Sequence, residues 1–211
     1  MKVIQQIIEY FELNTPVFLK NLETHIELTL VSMVTATVIC VPLGVWISRK
    51  ARAAAMVINL VNIIRVIPSL AILALAMPIL GVGFLPAAVA LTILACPPIL
   101  INTCVAFREV SPAAREAALG MGMTPLQTIL KVEFPLALPV MLAGIRTASV
   151  EIIASATLAV LIGGGGLGNY IINGISMMSE SFLLIGAIPV ALLAIGSEVL
   201  FGALQKKASY Q

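Results

Sequence analysis

Apolar runs alternate with short charged clusters along the whole chain. Residues 28–47 hold no charge, and Arg49, Lys50 and Arg52 follow at once. A membrane-spanning helix needs about 20 apolar residues, so this run predicts a first span over 28–47. The apolar stretch 53–80 is interrupted by Asn59, Asn62, Arg65 and Pro68. It predicts a tilted or broken second span over about 56–80, followed by a turn at Gly81-Val82-Gly83. A third span is expected over 84–107, broken or kinked at Pro97-Pro98, because proline removes a backbone donor and crowds the preceding turn. A fourth follows over 136–162, carrying Pro139, Arg146 and Glu151. Residues 163–180 read as a loop rich in glycine. A fifth span over 182–204 carries Glu198 and ends at Lys206 and Lys207. Residues 1–27 carry Glu9, Glu12, Glu23 and Glu27. They read as an amphipathic segment outside the membrane rather than a secretory signal.

Charge sets an orientation. With five spans, Arg49, Lys50, Arg52, Arg108, Arg115, Lys131, Lys206 and Lys207 fall on one side, and Lys2 and Lys20 on the other. Basic residues collect on the cytoplasmic side. The expected topology is therefore N-terminus outside and C-terminus inside, an all-α membrane protein whose transmembrane domain covers 28–207.

Composition narrows the function classes. The chain is 60% hydrophobic and 10% charged, with a mean hydropathy of +1.10, against roughly 45–50% apolar and about 25% charged residues in a soluble domain. A net charge of +2 is too small to steer nucleic acid. All ten acidic residues are glutamates, which excludes an aspartyl protease, and a single histidine excludes a two-histidine zinc site. No metal site is expected. Cys40, Cys96 and Cys104 lie in apolar stretches and read as small buried hydrophobes. His25 has no ligand-type company and reads as a surface residue near the outer edge.

The polar segment 108–135 holds two helix starts. Ser111-Pro112 places an N-cap before a first-turn proline. Thr124-Pro125-Leu126-Gln127 has the form of a capping box. Gly120 and Gly122 lie between, so the segment predicts helix, glycine turn, helix, ending at Pro135. Glu116, Ala117 and Ala118 in the first helix and Gly122 in the turn give it small residues and one charged handle, suited to seating closely in a groove of another protein.

This spacing resembles the EAA loop of ABC importer permeases. Glu116, Ala117, Ala118, Gly122 and Pro135 match its pattern, Val132 replaces the usual isoleucine and Phe134 the usual leucine. The runs RVIPSLA at 65–71, LGVG at 80–83, PILINT at 98–103 and AGIRTA at 143–148 resemble the permeases that import osmoprotectants such as glycine betaine, carnitine and choline. In that family Gly164 stands where alanine is expected, and Glu151 where an aromatic or small residue is expected. The resemblance implies the type I ABC importer permease fold in the cytoplasmic (inner) membrane. It implies that 108–135 is a cytoplasmic coupling loop, with Glu116, Ala117, Ala118, Gly122, Thr124, Pro125 and Pro135 at the ATPase contact. It further implies two ATP-binding partner subunits that hold ATP and Mg, a second permease chain and an external substrate-binding protein. This chain itself would carry no cofactor and no catalytic residue. A methionine or other amino-acid importer is the alternative within the class. A passive channel or an intramembrane hydrolase would leave the EAA loop unexplained.

Charged residues in apolar spans cost roughly 2.5–3.5 kcal/mol each on insertion scales. Arg65, Arg146, Glu151 and Glu198 therefore need explaining. Arg65, Arg146 and Glu151 are candidates for the pathway or the permease interface, with the alternative of snorkelling at span ends and structural ion pairing. That alternative is stronger for Arg65 and Glu198, near the inner surface. Arg146 and Glu151 stand about 140° apart around a helix and make poor partners for each other. Asn102, Thr103, Ser155 and Thr157 could hydrate a passing zwitterion or join helices. Gly163, Gly164, Gly165, Gly166 and Gly168 form either a flexible turn or an outer gate loop; with no following Lys-Ser or Lys-Thr they cannot be a phosphate loop. No tyrosine or tryptophan falls in the middle of a span, so an aromatic cage for a quaternary ammonium is not expected in this chain.

Overall fold

A computed structural model describes residues 2–209. Its first helix, α1 (Lys2–Ser48), is 47 residues long and is interrupted at Asn14, where φ is −126° and ψ 15°. Pro16 explains the break, since it cannot donate to the turn before it and crowds the carbonyl four residues back. At about 1.5 Å per residue the part of α1 after the break extends roughly 50 Å, well beyond a hydrocarbon core of about 30 Å. No boundary falls near residue 27; the helix runs from the acidic segment straight into the apolar one.

Eight further α-helices, three of them short, follow among the described residues. α2 (Ala51–Val66) and α3 (Ser69–Leu80) meet at 93°. Proline disfavours helical geometry in the residue before it, and Ile67 before Pro68 is extended, with φ −70° and ψ 125°. α4 (Phe84–Glu109) runs as one helix through Pro97 and Pro98. α5 (Pro112–Gly120) and the short α6 (Pro125–Thr128) follow, then a π-helical turn over Ile129–Glu133. α7 (Phe134–Ala156) tightens into a 3-10 turn over Thr157–Ile162, and α8 (Gly168–Ser176) and α9 (Glu180–Ala208) close the chain. Four of these helices are long and apolar enough to cross a membrane by length and composition, or five if the bent pair α2–α3 counts as one span.

α4 is the centre, flanked by α1, α3 and α7, and α9 packs on the outside of α7. The interior face of α1 repeats every four residues as Leu28, Ser32, Ala36, Cys40 and Gly44, all buried. Small residues let helices approach closely in an apolar medium, where a hydrophobic driving force between helices is absent. A Cβ on Gly44 would stand 2.7 Å from the Thr103 methyl of α4, and one on Gly144 of α7 2.6 Å from the Pro98 carbonyl. Ser32 Oγ donates to the Ala88 carbonyl of α4 at 3.1 Å, joining the same two helices. The opposite faces of α1 and α9 expose Val34, Val38, Leu192, Ile195 and Val199, an apolar exterior suited to lipid.

Two expectations are corrected. Residues 163–180 are not a plain loop, because they contain α8, whose Tyr170 is buried against Tyr10 and Phe18 of α1 and Phe182 of α9. Glycine and serine favoured the loop reading, but tertiary aromatic packing holds the helix. His25 is not at the surface; its exposure is 0%. It sits against Gly166, where a Cβ would stand 3.2 Å from Nδ1. The φ of +92° at Gly166 and its missing side chain let that loop close over the imidazole.

Candidate coupling surface and polar cavity

Two places gather the residues singled out from the sequence. The first is the hairpin between α4 and α7. α5 ends in a Schellman motif: Met123 N–H donates to the Ala118 carbonyl at 3.2 Å, and Gly122 N–H to the Leu119 carbonyl at 2.9 Å. This motif requires a left-handed residue at Gly122, where φ is +82°. Thr124 then caps α6. Thr124 N–H donates to Gln127 Oε1 at 2.9 Å, and Gln127 N–H to Thr124 Oγ1 at 3.4 Å, while Pro125 occupies the first turn. The glycine and the threonine two residues later thus stop one helix and start the next.

The outer face of the hairpin exposes Glu116 and Ala117 with Leu119, Met121 (71% exposed), Leu126 and Leu130. Ala118 faces inward and is buried. Pro135 is exposed at the start of α7. The surface is therefore apolar with one carboxylate, and short, rigid turns hold it.

Its inner side is tied down by a group the sequence did not single out. Glu133 is 2% exposed, yet it faces two guanidinium groups. Arg49 at the end of α1 embraces it with both terminal nitrogens, Nη1 donating to Oε1 at 3.1 Å and Nη2 to Oε2. Arg115 of α5 brings Nε within 3.3 Å of Oε1 and donates through Nη2 to the Phe107 carbonyl of α4. A paired guanidinium fork offsets much of the cost of burying a carboxylate. The π-turn adds a residue to the helix just before α7, and Glu133 is its last residue. A groove of about 310 Å³ between Arg49, Arg115, Leu119, Pro125 and Glu133 runs along this junction. The only sequence signal was a glutamate two residues before a proline, with Arg49 and Arg115 on other helices.

The second place lies at the break between α2 and α3. A cavity of about 210 Å³ opens there between Arg65, Ser69, Pro97, Glu151 and Ser155, walled by Ile64, Ile67, Ile72 and Leu94. Of the pathway candidates it unites Arg65, Glu151 and Ser155. The others lie elsewhere. Asn102 donates to the Pro98 carbonyl at 2.8 Å within α4 and lies against Gly144. Thr157 donates to the Ala154 carbonyl at 2.7 Å. Arg146 forms an ion pair with Glu198 of α9 and reaches Gln205 Oε1 at 3.4 Å. A second, open groove of about 560 Å³ between α7 and α9 is lined by Thr147, Glu151 and Glu198. Glu151 thus borders both spaces.

Gly164, Gly166 and Gly168 of the glycine run are buried against the bundle, while Gly163 is exposed. Gly83 N–H donates to the Ile162 carbonyl at 2.7 Å, beside Gly163. A Cβ on Gly164 would meet Ala87 at 2.8 Å, and one on Gly168 would lie 2.0 Å from the Thr157 carbonyl oxygen. Gly165 lies against Thr24. Among the described residues no group of three or more His, Cys, Asp or Glu could hold a metal ion.

Comparison with known proteins places this geometry. Residues 40–210 match the family described as "Binding-protein-dependent transport system inner membrane component". The choline transport system permease protein OpuBB of Bacillus subtilis is 41% identical over 204 residues, covering 97% of this chain and 94% of that protein. The carnitine transport permease protein OpuCB of Listeria monocytogenes is 42% identical over 199 residues, covering 94% and 91%. Among solved structures, a chain of the MetNI methionine ABC transporter in an inward-facing conformation superposes with a TM-score of 0.74 at 25% identity, covering 88% of this chain and 95% of that one.

Proposed function

The chain belongs to the family of binding-protein-dependent transport system inner membrane components, and from that premise we propose that it is the permease of an ATP-driven importer of the quaternary-ammonium osmoprotectants glycine betaine, carnitine or choline. It is a multi-pass subunit of the inner membrane without an ATPase site of its own; hydrolysis belongs to partner subunits. The observation that carries the substrate class is the similarity, along nearly the whole chain, to permeases named for choline and carnitine.

In this reading two ATP-binding subunits, which hold ATP and Mg, seat against Glu116, Ala117, Leu119, Met121 and Leu126 on the outer face of the hairpin. A second permease chain, identical or related, completes the pathway. An external binding protein delivers the substrate at the end of the bundle that carries the glycine run, with the N-terminus on that outer side and the basic end in the cytoplasm. Thr124, Pro125, Gly122 and Pro135 fix the shape of the hairpin; Ala118 packs it inward. Because Glu133 joins the hairpin to α1, motion imposed on the hairpin reaches both α1 and α7 rather than being absorbed by a loose loop. ATP binds the closed ATPase pair better than the open one, and that difference supplies the energy that shifts the bundle between inward- and outward-facing states.

The test is uptake of radiolabelled glycine betaine, carnitine, choline and methionine into proteoliposomes holding the complete complex with its binding protein. ATP-dependent uptake of a quaternary-ammonium compound supports the reading. Uptake of methionine alone would keep the permease and move the substrate class to amino acids.

A further inference from the structure

Arg65 and Glu151 stand out because neither has a partner among the described residues. The ion pairs formed there are Arg49–Glu133, Arg115–Glu133 and Arg146–Glu198. Arg146, the basic residue nearest Glu151 in sequence on α7, is engaged with α9. No hydrogen bond satisfies either side chain, while both line the cavity at the α2–α3 break. Two opposite charges in an apolar bundle would lower their energy by meeting, since each alone is costly there. Yet they stay beyond ion-pair contact, held on separate helices. The space between them suits a molecule that carries both charges itself.

We propose that Arg65 and Glu151 form a relay site for a zwitterion with a quaternary ammonium at one end and a carboxylate at the other. The carboxylate is received by Arg65, whose planar fork suits it, and the ammonium lies toward Glu151. Ser69 and Ser155 supply hydroxyls to the same space. The remaining wall is made of isoleucine, valine, leucine and proline side chains and contains no aromatic ring. The methylated ammonium thus meets apolar surface and one carboxylate but no cation–π cage. Binding is weak, as a transfer site requires. Glu151 also borders the α7–α9 groove, so the ammonium end can pass from one space to the next without losing its counter-charge. This inference rests on the transport function proposed above and adds the orientation and the charge selectivity of the substrate.

The chemistry separates two substrates. Glycine betaine presents both charges, whereas choline presents only the ammonium. The experiment compares uptake of both by proteoliposomes holding the complete complex and saturating binding protein, for the wild type, Arg65→Gln, Glu151→Gln and Glu151→Asp. Arg65→Gln is expected to slow glycine betaine about tenfold, the ratio corresponding to one charge-assisted contact, while choline stays within about twofold. Glu151→Gln is expected to slow both compounds, and Glu151→Asp to restore part of the rate. Unchanged uptake of both substrates in both glutamine variants overturns the site. Loss of permease pairing in either variant on size-exclusion chromatography also overturns it, because the charges would then belong to a contact with the second permease chain. Wild-type uptake confined to choline overturns the zwitterion orientation. A wild type that carries no quaternary-ammonium compound overturns instead the transport reading beneath it.

Discussion

Glu133 and Arg49 lie 84 residues apart in sequence and form a two-pronged ion pair that fastens the polar hairpin to the end of the first membrane helix. The pair turns a surface feature into a mechanical link. A hairpin joined to the bundle only through its own ends would transmit motion to α4 and α7; with this link it also carries α1.

Removing the link should uncouple rather than inactivate. In Glu133→Gln, ATP hydrolysis by the complex is expected to persist while substrate uptake per ATP falls, by roughly tenfold for a lost coupling free energy in the usual range of about 1–3 kcal/mol. Parallel assays of phosphate release and uptake in the same proteoliposomes check this. An equal fall in both would place Glu133 in hairpin folding alone.

Two glycines on the hairpin should respond oppositely to alanine. Gly122 has open space around its Cβ position but a φ of +82°, so Gly122→Ala pays only the left-handed penalty, about 1–2 kcal/mol. Gly120 has the same open space within α5, where alanine is favoured by roughly 0.5–1 kcal/mol. Thermal unfolding of the purified complex should show a lower midpoint for Gly122→Ala and an unchanged or higher one for Gly120→Ala.

The aromatic joint between α1 and α8 should be sensitive to alkali. Burial, the largest cause, pushes the Tyr170 phenol well above its ordinary value, and its hydroxyl lies 2.9 Å from that of Tyr10. A phenol held neutral by the fold contributes stability that is full below the unfolded value of about 10 and is lost as pH rises toward the folded one. Unfolding of the detergent-solubilised complex followed by circular dichroism should therefore steepen above about pH 10, and less so in Tyr170→Phe.

Local signals were legible in the sequence, and long-range ones were not. The capping box Thr124–Gln127 and the glycine stop at Gly122 depend on residues within one turn, so the hairpin could be read directly. The apolar runs over α4, α7 and α9 are likewise self-contained. His25 has no ligand-type company in the sequence and so reads as a surface residue, while Gly166, which covers it, is far along the chain. The Arg146–Glu198 pair joins α7 to α9 and leaves Glu151 alone. Arg65 and Glu151 looked like two separate anomalies, and only the sharp turn at Pro68 brings them to one cavity. Pro97-Pro98 predicted a break or a kink, and α4 continues as one helix through both prolines, which are themselves buried against its neighbours.

The central claim, that this chain couples partner ATPases to delivery of a quaternary-ammonium compound, is tested most directly by ATP hydrolysis. The complex is purified through a tag on this chain, and phosphate release is measured with its binding protein empty or loaded with glycine betaine, carnitine, choline or methionine. The account predicts stimulation by a quaternary-ammonium ligand, lost in Glu116→Lys while the chain remains inserted in the membrane. Purification without any ATPase, or hydrolysis indifferent both to the ligand and to Glu116→Lys, would contradict it.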